Sequence, residues 1–314
     1  MPVDLRARLG PLELPNPVVA ASGTFGHGDE VARRCDPARL GAVTAKSQAP
    51  FAWRGNPPPR LQPTGAGLVN SVGLQGPGIE HWVAHDLPAL RSRGARVIAS
   101  LWGHRVEDFG TAAAALRPVA GELVAVEVNV SCPNLAAHGR PFAYDAAPTG
   151  AAVRAVTEAS RPLPVFAKLA PDVADLPAIG AAALEAGATG LTLVNTARAL
   201  VVDAELGRPV LGGGTGGLSG AALKPIALRA VREVAGAHPG VPIIGTGGVA
   251  AGVDAVELLL AGASAVGVGT ATFLDPRAPL RVLAELEAWC ARHGVTRVAD
   301  LTGALRDPDR EETA

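Results

Sequence analysis

Short apolar runs alternate with amphipathic, alanine-rich segments along most of the chain. The apolar runs, which predict strands, are 16–22, 42–47, 97–103, 124–131, 164–170, 190–196, 241–248 and 265–271. Helical periodicity marks the segments 150–159, 174–186, 220–235, 251–261 and 279–293. Apolar strands separated by helices are typical of parallel strands buried on both faces. Eight of them predict an α/β fold, a (β/α)8 TIM barrel formed by residues 1–314 as one domain, with a doubly wound sheet as the structural alternative.

Three segments outside this alternation predict structure at the two ends of the barrel. The stretch "LRARLGPLEL" (5–14) alternates around a Gly-Pro turn and predicts an N-terminal β-hairpin that closes the barrel bottom. After the second strand, "RGNPPPR" (54–60) is held extended by its prolines, and glycine-rich "GLVNSVGLQGPG" (67–78) predicts neither a helix nor a regular strand. Such long loops over the C-terminal face are often functional. The polar residues from about 305 to 314 predict a frayed tail.

Polar residues and glycines collect where the predicted strands end. They are Ser22, Lys46, Asn129, Cys132, Lys168, Asn195, Gly247, Gly248, Gly269 and Thr270. Active sites of such barrels form at this C-terminal face, and the seventh and eighth strand ends commonly hold a phosphate through backbone N–H groups. The pattern predicts a site there for a phosphorylated cofactor.

The fourth strand ends in "NVSCPN" (129–134), which combines two asparagines, a serine and a thiol. That amount of hydrogen-bonding capacity at a strand end predicts contact with a ligand. The other two cysteines are interpreted as structural: Cys35 lies in a predicted helix, and Cys290 lies in the amphipathic segment 279–293.

The glycine-rich stretch 212–217, "GGGTGG", matches the dinucleotide-binding pattern G-x-G-x-x-G. It follows the sixth strand, far from the chain start, and lacks an acidic residue at the end of a second strand about twenty positions later. We therefore interpret it as a flexible loop over the barrel mouth and expect no NAD site in this chain.

Composition narrows the function classes. With 48% apolar residues and a net charge of −1, the chain has no charge pattern typical of nucleic-acid or membrane binding. Three cysteines without a CxxC pair predict neither a disulfide framework nor a metal site, and they are too few for an iron–sulfur cluster. No segment predicts a membrane span or a signal peptide, so a cytoplasmic location is expected.

Taken together, these segments resemble the dihydroorotate dehydrogenase family of flavin enzymes over nearly the whole chain. The motifs that carry the resemblance are "ASGTFG", "GNPPPR", "GLVNSVGLQGPG", "NVSCPN", "AKL", "LVNT", "TGGLSGAALKPIAL", "IIGTGGV" and "VGTATF". The cysteine of "SCPN" resembles the class 1 enzymes, and "GNPPPR", "VGLQGPG" and "TGGLSGAALKP" look most like the type B branch. That resemblance implies a homodimer core within a heterotetramer, with a partner iron–sulfur flavoprotein that carries FAD and a [2Fe–2S] cluster and passes electrons to NAD⁺.

The resemblance also implies roles for individual residues. One FMN per chain would be held by Ala21, Ser22, Gly23, Lys46, Ser47, Asn129, Lys168, Val194, Ser219, Gly220, Gly247, Gly248, Gly269 and Thr270. Dihydroorotate, and the product orotate, would be bound by Lys46, Asn70, Ser71, Val72, Gly73, Leu74, Asn129, Asn134, Asn195 and Thr196. Cys132 would be the catalytic base, and no residue is expected to bind a metal.

The chain departs from the family pattern after "SCPN", where Arg140 and Tyr144 stand at positions that are commonly glycine.

Two related activities stay open at this point. One is a dihydropyrimidine dehydrogenase-like flavin enzyme, and the other is a type A dihydroorotate dehydrogenase that reduces fumarate without a partner. A flavin-binding scaffold without turnover is disfavoured by the presence of Cys132, Lys46 and Lys168.

Overall fold

Eight parallel strands close into a barrel in the computed structural model, which describes residues 2–130 and 142–306. The strands, numbered here first to eighth, are Val18–Ala20, Ala42–Thr44, Val97–Leu101, Ala125–Asn129, Val165–Leu169, Gly190–Leu193, Ile243–Thr246 and Ala265–Val268. Each pairs with the next along the chain, and the eighth returns to the first, with Val266 opposite Val18. The barrel confirms the (β/α)8 prediction, and the doubly wound alternative is wrong because the sheet closes on itself.

All eight predicted strands are present, each shorter than its apolar run. Lys46 and Asn195, for example, were placed within predicted strands but lie in the loops that follow them. The pattern could not mark this boundary because the loops remain buried after strand pairing ends.

Helices pack around the barrel. They span Ile79–His81, Leu87–Ser92, Val106–Ala114, Ala146–Ala159, Leu176–Glu185, Lys224–Ala237, Gly252–Ala261, Ala271–Leu274 and Ala278–Arg292, and a π-helical turn, Trp82–Asp86, joins the first two. Short 3-10 turns occur at Pro37–Arg39, Arg117–Glu122, Phe142–Tyr144, Ala221–Leu223 and Val298–Leu301. No helix in the described ranges is long and apolar enough to cross a membrane.

Five of these helices correspond to predicted ones, with shifted ends. The helix predicted from residue 150 begins at Ala146, because the Asp145 side chain caps it by accepting from the Ala147 N–H. The helix predicted from residue 220 begins at Lys224, after a 3-10 turn. The helix expected around Cys35 is wrong, since that segment forms turns, whereas Cys290 does lie in the last helix.

The interior of the barrel is layered. Its lower layer is a buried apolar cluster of Leu9, Leu14, Val19, Ala42, Ile98, Ala125, Phe166, Ile244 and Ala265. Side chains two residues apart on a strand face the same side, so the next layer up is formed by the residues two positions further along each strand. That layer is polar although it is buried, and it contains Thr44, Ser100, Glu127, Lys168 and Thr246. The apolar layer supports the fold, and the polar layer forms the floor of whatever site lies above.

The N-terminal hairpin seals the lower end, as predicted. Its strands, Ala7–Leu9 and Leu12–Leu14, pair antiparallel. Leu9 and Leu14 are fully buried in the lower apolar cluster. The hairpin thus supplies the side chains that fill the bottom of the barrel.

A four-stranded antiparallel sheet lies at the C-terminal end, in the order Ala197–Leu200, Thr215–Ser219, Gly67–Asn70 and Leu61–Thr64. A short antiparallel pair, Val202–Asp203 with Arg208–Pro209, lies in the segment that connects Ala197–Leu200 to Thr215–Ser219. Two predictions are corrected here. Residues 67–70 are a regular strand, and the second half of the 212–217 stretch is a strand and not a flexible loop. Both strands pair with segments about 150 residues away, a relationship that a local pattern cannot show.

Candidate functional site

A cleft opens at the C-terminal ends of the barrel strands, between the barrel and the four-stranded sheet. It encloses about 1270 Å³, including its open mouth. Because this volume includes open solvent, the lining residues indicate better than the volume what the cleft can hold.

The structure brings nearly all of the predicted site residues to this cleft. Its lining includes Ala21, Ser22, Gly23, Lys46, Ser47, Asn70, Ser71, Val72, Gly73, Leu74, Asn129, Lys168, Val194, Asn195, Thr196, Ser219, Gly220, Gly247, Gly248, Gly269 and Thr270. The predicted base Cys132, the predicted ligand-binding Asn134 and Arg140 lie outside the described residues. Their roles stay predictions.

The sequence reasoning missed several lining residues, namely Thr24, Leu61, Leu68, Thr215, Gly216, Gly217, Leu223, Thr246 and Phe273. All of these except Leu61 lie within the motifs that carry the resemblance, so their motif membership was an unused signal. Leu61 had none, because only the folding of the four-stranded sheet over the mouth brings it there.

One end of the cleft is built from backbone and small side chains. Gly247 and Gly248 follow the seventh strand with φ of 130° and 79°, a region that strongly favours glycine. A Cβ on Gly248 would lie 2.5 Å from the Lys224 Cβ. Nearby, the Thr270 hydroxyl donates to the Ser219 hydroxyl at 2.8 Å, which links the end of the eighth strand to the covering sheet. This end can surround a compact anion with N–H and O–H donors.

The opposite side of the cleft holds a network of amides and hydroxyls. The Asn129 amide donates to the Ser47 hydroxyl at 3.2 Å. The Asn195 amide donates in turn to the Asn129 side-chain oxygen at 3.2 Å. Ser47 lies 2.9 Å from Ser100 in the polar layer below. Asparagine offers both a donor and an acceptor, so this side suits a ligand whose ring edge carries both.

The loop 70–74 borders the same side and is fixed at several points. The Trp53 indole N–H donates to the Gly73 carbonyl at 3.0 Å, and the Asn56 amide donates to the Ser71 hydroxyl at 2.9 Å. The Asn70 amide donates to the Gly217 carbonyl of the covering sheet at 3.2 Å. These bonds hold the backbone of the loop against the cleft.

Lys168 lies at the floor of the cleft, where it is only 6% exposed. Its Nζ is 3.6 Å from the carboxylate of Glu127, a residue that is 2% exposed and that sequence reasoning did not select. A charged residue within the apolar run "VAVEVNV" was the signal that could have found it. The two form a buried ion pair directly beneath the cleft.

Cys35 and Cys290 are unsuited to ligand binding, because both side chains are fully buried. Burial raises the pKa of Cys35 to about 11 and also raises that of Cys290. Both therefore stay protonated near neutral pH. The interpretation of these two cysteines as structural fits their surroundings.

Tyr144 anchors the chain just after residues 131–141. Its hydroxyl donates to Asp172 at 2.7 Å, and the Arg198 guanidinium lies 4.7 Å from the centre of its ring. Arg198 also pairs with Asp172 at 3.1 Å. Burial, followed by the hydrogen bond to Asp172, raises the pKa of Tyr144. The tyrosine that stands where the family commonly has glycine is thus a structural contact.

Comparison with known proteins shows similarity over nearly the full chain. A model of the dihydroorotate dehydrogenase family matches residues 5–289. The catalytic subunit of dihydroorotate dehydrogenase B (NAD⁺) from Desulforudis audaxviator is 45% identical over 97% of this chain and 98% of its own length. The corresponding subunit from Geobacter metallireducens is 41% identical, over 96% and 98%. A putative dihydroorotate dehydrogenase A (fumarate) from Solibacter usitatus is 46% identical, over 94% and 96%.

Proposed function

The chain belongs to the dihydroorotate dehydrogenase family, and we propose that it oxidises (S)-dihydroorotate to orotate, a step of pyrimidine biosynthesis, with one non-covalently bound FMN. The observation that carries this proposal is the two-sided cleft. An anion cradle at the seventh and eighth strand ends faces an amide-lined side across a floor that contains Lys168. This arrangement suits a phosphorylated cofactor lying next to a small ring with polar edges.

The residues present fit FMN. Gly247 and Gly248 have positive φ, and a Cβ on either would collide with the helix Lys224–Ala237, so glycine is needed for the tight turn whose backbone N–H groups can face a phosphate. Ser219, Thr270 and Gly220 complete the same end. Lys46 and Lys168 line the cleft between the cradle and the asparagines, where they can contact the ring system. When bound, FMN would supply the hydride acceptor for the reaction.

The residues also fit dihydroorotate. Asn129 and Asn195 supply amide donors and acceptors for the ring, and the 70–74 loop supplies backbone groups for its carboxylate. A uracil-type substrate would lack that carboxylate, which is what separates this reaction from that of dihydropyrimidine dehydrogenases. Oxidation of the C5–C6 bond also requires removal of a proton from C5. We propose Cys132 as the base, in keeping with the motif "NVSCPN".

The electron acceptor is a separate part of the proposal. We propose the type B arrangement in the cytoplasm, in which a homodimer of this chain associates with an iron–sulfur flavoprotein that carries FAD and a [2Fe–2S] cluster. Two of the relatives named above are type B catalytic subunits, and the quoted motifs look most like that branch. The type A reaction with fumarate is the second candidate, because the Solibacter usitatus relative carries that name at similar identity.

The experiment is an anaerobic titration. Addition of dihydroorotate to the purified chain should bleach the flavin absorbance, and mass spectrometry of the released cofactor should give FMN. A protein that carries no flavin, or FMN that dihydroorotate does not reduce, would overturn the proposed reaction. Electron acceptors can then be compared: efficient oxidation by fumarate alone favours type A, whereas slow transfer to NAD⁺ that speeds up with an added iron–sulfur flavoprotein supports type B.

A further inference from the structure

Glu127 is a carboxylate inside the barrel. It lies in the fourth strand, between Val126 and Val128, and is 2% exposed. Ala125, two residues earlier on the same strand face, belongs to the lower apolar cluster. Glu127 therefore points into the barrel interior, one layer above that cluster and one layer below the cleft.

The surroundings of Glu127 show how its charge is balanced. Lys168 Nζ lies 3.6 Å from the carboxylate. The Ser100 hydroxyl donates to the same oxygen at 3.2 Å, and Ser47 lies 2.9 Å from Ser100. Ser47 in turn accepts from the Asn129 amide. A continuous chain of polar contacts thus connects the buried carboxylate to the ligand-facing side of the cleft.

The two members of the ion pair have different access to a ligand. Lys168 lines the cleft, whereas Glu127 lies below it and does not. In the part of the chain that the structure describes, Glu127 is the carboxylate within ion-pair distance of Lys168. A buried ammonium group is costly to leave without a counter-charge. The positive charge under the ligand thus depends on a residue that the ligand does not touch.

We propose that Glu127 is a positioning residue for Lys168: it keeps the ammonium group fixed at the floor of the cleft, where its positive charge would raise the reduction potential of a flavin bound there. The inference rests on the proposed function, since it assumes that FMN occupies the cleft. Reduced flavin carries more negative charge than oxidised flavin near neutral pH. An ammonium group fixed at the floor of the cleft would favour the reduced form for that reason.

The test measures the midpoint potential of the FMN-loaded chain by anaerobic spectroelectrochemical titration. In Glu127→Gln and in Lys168→Met, the equilibrium between oxidised and reduced flavin should favour the reduced form about tenfold less than in wild type. For a two-electron couple, this corresponds to a midpoint potential lower by about 30 mV. The double variant should fall no further than either single variant, because both changes break the same ion pair. An unchanged or raised potential in Glu127→Gln would overturn the proposal, and so would two shifts that add in the double variant.

Thr192 provides a matched control. It is buried, and it pairs in register with Lys168 on the sixth strand, but it carries no charge. Thr192→Val changes a polar group next to Lys168 and keeps the side-chain shape. The midpoint potential of the flavin in Thr192→Val should match that of wild type. A fall equal to that of Glu127→Gln would show that any disturbance of the polar layer is sufficient, and would overturn the specific role of Glu127.

A second measurement does not need flavin. In the apoprotein, Glu127→Gln should lower the melting temperature more than the double variant Glu127→Gln/Lys168→Met, because the single change leaves a buried amine without its partner. A double variant that melts below both single variants would overturn the pairing. If the chain binds no flavin, the proposed function fails, but this comparison still decides whether Glu127 and Lys168 depend on each other.

Discussion

The Asn195 amide donates a hydrogen bond to the Asn129 side-chain oxygen, and this bond joins the loop after the sixth barrel strand to the end of the fourth. The fifth strand lies between them in the barrel. Neither residue is near the other in sequence. The bond therefore fixes the separation of two ligand-facing groups on the amide-lined side of the cleft.

Asn195→Ala should weaken orotate binding by about 10- to 100-fold. The substitution removes one amide directly, and it also removes the hydrogen bond that this amide donates to the Asn129 side-chain oxygen. The two losses together cost about 1–3 kcal/mol. Isothermal titration with orotate measures the effect. Asn16 is the matched control, since it is a buried asparagine that accepts from the Val18 N–H at the other end of the barrel. Asn16→Ala should lower the melting temperature but leave orotate affinity intact, and equal losses of affinity would contradict this prediction.

Gly248→Ala should impair both folding and FMN binding. Its φ of 79° strains any residue with a Cβ, and the new methyl group would also press against Lys224. Strain alone costs about 1–3 kcal/mol. Gly240→Ala separates the two effects, because Gly240 has a similar φ of 81° and open space around it. Urea unfolding should show the larger loss for Gly248→Ala, and only that variant should lose FMN affinity.

Asp254 should make the stability of the protein depend on pH in the acid range. Burial by itself raises the pKa of Asp254, but hydrogen bonds from Lys224 and from the Ala250 and Ala251 N–H groups outweigh it and hold the pKa below its ordinary value. A carboxyl with a lowered pKa in the folded state stabilises the fold above its unfolded pKa, about 3.9. That contribution is lost as the pH falls further, through the folded value.

The corresponding variant is Asp254→Asn. It should lower the free energy of unfolding by about 1–2 kcal/mol at pH 7, because the carboxylate caps the helix Gly252–Ala261. The difference from wild type should shrink below about pH 4. Asp300→Asn is the control: its pKa is also lowered, by Arg297, but it is exposed and should change stability little at either pH. A constant difference between Asp254→Asn and wild type across this range would refute the assignment.

Cys132→Ala should slow flavin reduction by dihydroorotate by about 10²–10⁴-fold, the usual contribution of a general base. FMN content and substrate binding should change little, because the cleft residues remain. Cys132→Ser should keep some activity and move the rise in rate to higher pH, since a hydroxyl is a weaker acid than a thiol. Stopped-flow reduction between pH 6 and 10 measures both. Cys35→Ala and Cys290→Ala should keep wild-type rates, and a Cys132→Ala rate equal to wild type would place the base elsewhere.

The barrel could be predicted from the sequence because each of its strands and helices has its own local sequence pattern. Each strand is a short apolar run, and each helix has its own period, so the alternation alone indicates parallel pairing. The covering sheet could not be predicted in the same way. Gly67–Asn70 lies between Leu61–Thr64 and the distant Thr215–Ser219, and the glycines of these strands allow a close contact within the sheet rather than marking a loop. A Cβ on Gly217, for example, would collide with the Thr196 side chain.

The candidate site shows the same division. Residues such as Lys168 and Asn129 stand at strand ends, where the pattern itself draws attention to them. Glu127 was passed over because it lies in mid-strand, where a single polar residue is easily absorbed into an apolar run. Its importance depends on Ser100 and Lys168 on the neighbouring strands. Those contacts exist only after the barrel closes.

The N-terminal hairpin that fills the lower end of the barrel limits how ligands can enter and leave the site. With Leu9, Leu14 and Phe166 packed below the polar layer, the described part of the barrel is a well with a closed bottom. Substrate enters, and product and the released proton leave, on the side of the covering sheet. With dihydroorotate bound in this well as proposed, orotate must leave by the same mouth before the next substrate molecule can enter. Substrate entry and product release therefore compete for one path.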